Sequence, residues 1–95
     1  NGSSICDALQ APVPGELTFQ INKRCLTDAL TVSDTDVKHA MQVSFEQLKL
    51  VVEPGGAVAL AAALAGALPP RYQRVGVVLS GGNVDAKLFA ECITA

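Results

Sequence analysis

Ser80-Gly81-Gly82-Asn83 is the first place in this sequence where side chains suited to chemistry stand together. It follows the aliphatic run at 75–79 and leads into Val84 and Asp85. A serine hydroxyl can both donate and accept a hydrogen bond. Glycines let a flat ring or a phosphate come close to the backbone. A strand that ends in small residues and opens a helix is where open α/β sheets hold cofactors. Glu53-Pro54-Gly55-Gly56 is the second place. Its carboxylate stands at a helix entrance, where the helix dipole favours negative charge, and it can face a ligand. The plainer alternative for both stretches is a tight turn capped by its own polar side chain. The residues alone leave that open.

Other chemistries are excluded by spacing. A nucleophile elbow needs a serine inside G-x-S-x-G, and Ser80 precedes its glycines. A phosphate loop of the Walker type needs a lysine after the glycines, and none follows. His39 and the cysteines Cys6, Cys25 and Cys92 do not stand at metal-ligand spacing, so no metal site is expected. Asp7 sits among apolar neighbours and is expected to accept backbone N–H bonds before Pro12. Lys23, Lys38, Lys49 and Lys87 read as solvated helix charges, and none has a setting that suits Schiff-base chemistry.

These stretches must be held by a small scaffold. The 95 residues allow one domain, and 49% of them are apolar. Net charge is −2 with no cationic cluster, which argues against nucleic acid or an anionic membrane as partner. The longest apolar run, 55–68, is too short to span a bilayer. An odd number of cysteines without a CxxC reads as small buried hydrophobes in a reducing compartment, and a cytoplasmic location is expected.

Apolar spacing then predicts the elements. A short helix is expected at 16–25 and a brief strand at 29–32. Ser33 should cap a long helix, with Asp34 and Asp36 in its first turn. Val37, Ala40, Met41, Ser44, Phe45, Leu48, Val51 and Val52 form its inward stripe, and Pro54 marks its break. An Ala-rich helix is expected at 57–68, stopped by Pro69-Pro70. The run at 75–79 reads as a strand covered on both faces, and 84–93 as a last helix with Leu88, Phe89 and Cys92 inward. The order α-β-α-α-β-α implies an α/β fold, a parallel sheet with flanking helices. Two strands make a poor sheet, so residues 1–95 are expected to be an incomplete portion of a larger domain.

Four segments together resemble one family. They are Ser4-Ile5-Cys6-Asp7-Ala8-Leu9, Leu30-Thr31-Val32-Ser33-Asp34, Lys49-Leu50-Val51-Val52-Glu53-Pro54-Gly55-Gly56-Ala57 and Val77-Val78-Leu79-Ser80-Gly81-Gly82-Asn83-Val84-Asp85. In this order and spacing they resemble the C-terminal part of the threonine/serine dehydratases, pyridoxal-phosphate enzymes of fold type II. The resemblance implies that Ser80 hydrogen-bonds the pyridine nitrogen of the cofactor, that Gly81 and Gly82 shape the turn, and that Asn83 follows it. It implies that Glu53 lies close to the cofactor ring. It implies that Asp7 and Ala8 border the cofactor, with Ala8 standing where the family commonly has glycine.

The implied reaction removes water from a β-hydroxy amino acid to give a 2-oxo acid and ammonia. The implied partners are that amino-acid substrate, the N-terminal portion of the enzyme and further copies of the protein. In the family, the Schiff-base lysine, the phosphate loop and the metal carboxylates stand upstream of such a segment. No catalytic or metal-binding residue is therefore expected within 1–95, and the segment alone is expected to be inactive. Two alternatives remain open: a free-standing, non-catalytic α/β interaction module, and a piece of a related serine or aspartate racemase or hydroxyaspartate dehydratase.

Overall fold

The computed structural model describes residues 5–6 and 30–95. Helix α1 spans Asp34–Leu48, a 3-10 turn η1 spans Gly55–Ala57, α2 spans Val58–Leu64 and α3 spans Ala86–Ile93. Helix α1 is central and packs against both α2 and α3.

The start of α1 follows from its sequence. The Ser33 hydroxyl accepts from the Asp36 N–H at 3.1 Å, and the Asp36 carboxylate accepts from the Ser33 N–H at 3.2 Å. This is a reciprocal capping box with aspartate in the third position. Asp34 also accepts the Ile5 N–H at 3.3 Å, which ties residues 5–6 to the helix start.

The end of α1 differs from expectation. It stops at Leu48 instead of continuing through Val52. Lys49 adopts the left-handed conformation (φ 60°), and the Leu50 N–H turns back to the Ser44 carbonyl at 3.0 Å. A left-handed residue ends a helix by aiming the next N–H groups back at its last carbonyls. The Lys49 ammonium holds the Glu46 carbonyl at 2.7 Å and helps to satisfy this end. Of the expected stripe, Val37, Ala40, Met41 and Ser44 are buried, whereas Phe45 and Leu48 are 41% and 53% exposed. Full burial of Val37 and of Met41 contributes about 2 kcal/mol each.

Helix α2 is also shorter than expected. It ends at Leu64, well before Pro69-Pro70, because Gly66 takes a positive φ of 73°. Helix α3 starts at Ala86, where the Asp85 carboxylate caps it by accepting the Leu88 N–H at 3.1 Å. Its inward face is the expected one: Cys92 is fully buried, and Leu88 and Phe89 lie partly buried against the core. Burial pushes the Cys92 thiol above its ordinary pKa, and the Lys38 ammonium opposes this shift. Phe89 meets Phe45 edge to face, with ring centres 5.4 Å apart. Gln42 of α1 donates to the carbonyls of Cys92 and Ala95, at 3.2 and 2.9 Å, and so satisfies the open end of α3.

Among the described residues there is no strand. Residues 30–32 and 75–79 are non-helical but form no ladder, so the expected parallel sheet is not seen there. The physical reason is that β-branched composition expresses a preference, whereas a strand is defined by hydrogen bonds to a second strand. Nor is the run at 75–79 covered on both faces, since Val75 and Val78 are 47% and 74% exposed. The expected helix at 16–25 lies outside the described residues, as does Ala29. Among the described residues no helix is long and apolar enough to cross a membrane.

Candidate functional site

The two polar turns singled out in the sequence meet in the structure. Residues 51–53 leave α1 as extended chain, and Pro54 leads into η1. This first turn is tightened by two short bonds, Gly56 N–H to the Glu53 carbonyl at 3.0 Å and Ala57 N–H to the Pro54 carbonyl at 3.1 Å. The second turn, at 80–83, leads from the aliphatic run toward the Asp85 cap of α3. Two main-chain hydrogen bonds join the turns. The Glu53 N–H donates to the Gly81 carbonyl at 2.9 Å, and the Ser80 N–H donates to the Gly56 carbonyl at 3.4 Å.

Glycine makes this approach possible. A Cβ at Gly56 would stand 2.6 Å from the Gly81 oxygen and 2.8 Å from its nitrogen. A Cβ at Gly82 would stand 2.5 Å from the Val51 carbonyl oxygen, and one at Gly81 would run into the Glu53 carboxylate. The space left by each missing side chain is therefore taken by the opposite turn.

Beside the turns lies a cleft of about 480 Å³. Its walls include Leu30, Val32, Val58 and Val75, and Gly55 and Gly56 form part of its lining. Ser80 supplies the only polar side chain among the described lining residues. An apolar cleft with one placed hydroxyl suits a small flat molecule that carries a single polar ring atom on that side. This donor set fits the ring edge of a pyridine-based cofactor: apolar walls for its faces and one hydroxyl for its nitrogen.

The structure thus brings together Glu53, Ser80, Gly81 and Gly82. Glu53 is half-buried behind Gly81 and does not line the cleft, while Asn83 is exposed at the far end of its turn. Asp7 and Ala8 lie outside the described residues. The sequence reading missed the walls Leu30, Val32, Val58, Ala59 and Ala62. One signal was available: Gly-Gly pairs at 55–56 and 81–82, matched small residues of the kind that let two backbones touch.

The chain is similar to known proteins. A family model described as pyridoxal-phosphate dependent enzyme matches residues 1–81, a stretch that includes Glu53 and Ser80. The chain is 37% identical over 91 residues to the L-threo-3-hydroxyaspartate ammonia-lyase of a Pseudomonas species, covering 96% of this chain and 28% of that protein. It is 35% identical over 86 residues to the catabolic L-threonine dehydratase TdcB of Staphylococcus aureus, covering 87% of this chain and 25% of that protein. It superposes on the structure of maize serine racemase with a TM-score of 0.82 at 35% identity, covering 97% of this chain and 29% of that one. The chain therefore spans 25–28% of the length of these curated relatives.

Proposed function

This chain belongs to the pyridoxal-phosphate dependent enzymes, in the fold type II group, and from that premise we propose that it forms one wall of the cofactor site in an ammonia-lyase acting on a β-hydroxy amino acid. One observation carries the reading: Ser80 is the lone polar side chain among the described residues that line an apolar cleft. When bound, pyridoxal phosphate supplies an electron sink for bond breaking at the amino-acid α-carbon.

In this reading the Ser80 hydroxyl exchanges one hydrogen bond with the ring nitrogen. Being neutral, it does not hold a proton there as an aspartate would. A weaker sink suits prompt departure of a β-hydroxyl. Aliphatic side chains of the cleft exclude water from the ring faces. The Glu53 turn stands directly behind Ser80 and supports it. Gly81, Gly82 and Asn83 complete the turn, and Asp7 and Ala8 border the same cofactor.

Residues 1–95 are then the C-terminal segment of the cofactor-binding domain, working with an N-terminal portion that holds the Schiff-base lysine and the phosphate loop. That the chain covers only about a quarter of its relatives' length supports the need for a further portion. The protein acts as a cytoplasmic homo-oligomer. Relatives named for hydroxyaspartate or threonine elimination and relatives named serine racemase match over most of the chain alike, so a racemase is the second reading.

The test is Ser80→Ala in the natural full-length protein, assayed for 2-oxo acid and ammonia from L-threonine, L-serine and 3-hydroxyaspartate. Turnover is expected to fall about tenfold or more, the equivalent of one hydrogen bond to a polar ring atom, with the circular dichroism unchanged. Undiminished turnover would refute the role of Ser80. The same assay on the 95-residue chain alone is expected to yield no product, and product there would refute the division of labour.

A further inference from the structure

Ser80 and Gly81 are held from both ends by the turn at 53–56. The Ser80 N–H reaches the Gly56 carbonyl at 3.4 Å, and the Gly81 carbonyl receives the Glu53 N–H at 2.9 Å. The Gly56 Cα faces the Gly81 main chain so closely that a methyl there would lie 2.6 and 2.8 Å from backbone atoms, which cannot swing aside. The Glu53 carboxylate rests against the Gly81 Cα. Ser80 is thus left with little freedom beyond rotation about its own Cα–Cβ bond. Holding a hydrogen-bonding group in place before its partner arrives removes an ordering cost from binding.

We propose that the turn at 53–56 is a clamp that aims the Ser80 hydroxyl into the cleft, with Gly56 as a positioning residue and Glu53 acting through its main chain and its packing on Gly81. The inference rests on the reading of Ser80 as the group that meets the cofactor ring. It assigns Glu53 a duty to the serine turn that needs no contact with the ring.

The experiment compares Gly56→Ala, Ser80→Ala and the double variant in the natural full-length protein. Cofactor is removed, and pyridoxal phosphate is titrated back while its absorption band is followed. Each single change is expected to weaken binding about tenfold, the loss of about one hydrogen bond, and to shift the band in the same direction. The double variant is expected to bind no more weakly than the worse single, because residues that act as one unit are not additive. Additive losses, near a hundredfold, would reduce Gly56 to a structural role and overturn the clamp. Wild-type affinity in Gly56→Ala beside weak binding in Ser80→Ala would overturn the clamp but leave the cofactor reading standing. Wild-type affinity in Ser80→Ala would overturn both.

Should Gly56→Ala fail to fold, Gly81→Ala decides the matter. Its methyl meets only the end of the flexible Glu53 side chain, and Gly81 has no positive φ to lose. It is expected to weaken binding about threefold, and to add nothing in the Ser80→Ala background. Full affinity or an additive loss would overturn the clamp.

Discussion

Ser44 is fully buried on α1, and its hydroxyl has no hydrogen-bond partner among the described residues. A serine inside a helix can usually bond back to the preceding turn, and this one does not. Its desolvation is therefore uncompensated, and alanine is also the better helix former. Ser44→Ala is expected to stabilise the protein by about 1 kcal/mol, read as a higher urea midpoint with an unchanged slope. A lower midpoint would mean that the hydroxyl is paired after all. The same scale shows what the candidate site revealed in advance. That Ser80 and Glu53 stand at turns was legible, because a polar group beside paired glycines marks a turn whatever its use. The service of Gly56, Gly81 and Gly82 was not legible, because a glycine records only that space is needed and not which atoms fill it. Here backbone from the opposite turn faces Gly56 and Gly82.

Helix beginnings were easier to read than helix ends. Ser33 with Asp36, and Asp85 with α3, are side-chain caps, so their chemistry is written in the residue type. The end of α1 depends on Lys49 taking a left-handed backbone, which nothing about lysine announces. Pro69-Pro70 can stop a helix, but Gly66 comes first, and a glycine just past a helix is the commoner stop. Gly66→Ala is expected to cost about 1 kcal/mol, since its φ of 73° disfavours a Cβ although no atom stands within 4 Å. Gly76→Ala also meets open space, but without a positive φ, and is expected to be neutral or slightly stabilising. Thermal unfolding of the two variants side by side checks the contrast. Equal effects would remove the backbone argument. The strands expected at 29–32 and 75–79 are a different case: 75–79 is an aliphatic run, and its composition does not name a pairing partner.

Among the described residues, large apolar side chains stand on the surface as well as in the core. Phe45, Leu48, Leu50, Val51, Val75 and Val78 are all exposed, while much of the core is built from alanine, valine and cysteine. The 95-residue chain alone is expected to self-associate and to bind an apolar dye, measured by sedimentation and fluorescence. A dye-silent monomer would contradict this reading of its surface. The hydrogen bond from Glu53 to Gly81 carries a consequence of another kind. It makes everything between the two turns, α2 included, a closed loop whose outer stretch at 70–73 is exposed. Doubling the length of such a loop costs only about 0.6 kcal/mol. By that entropy alone, lengthening the exposed stretch at 70–73 is expected to cost little at the turns that face each other across the loop's base.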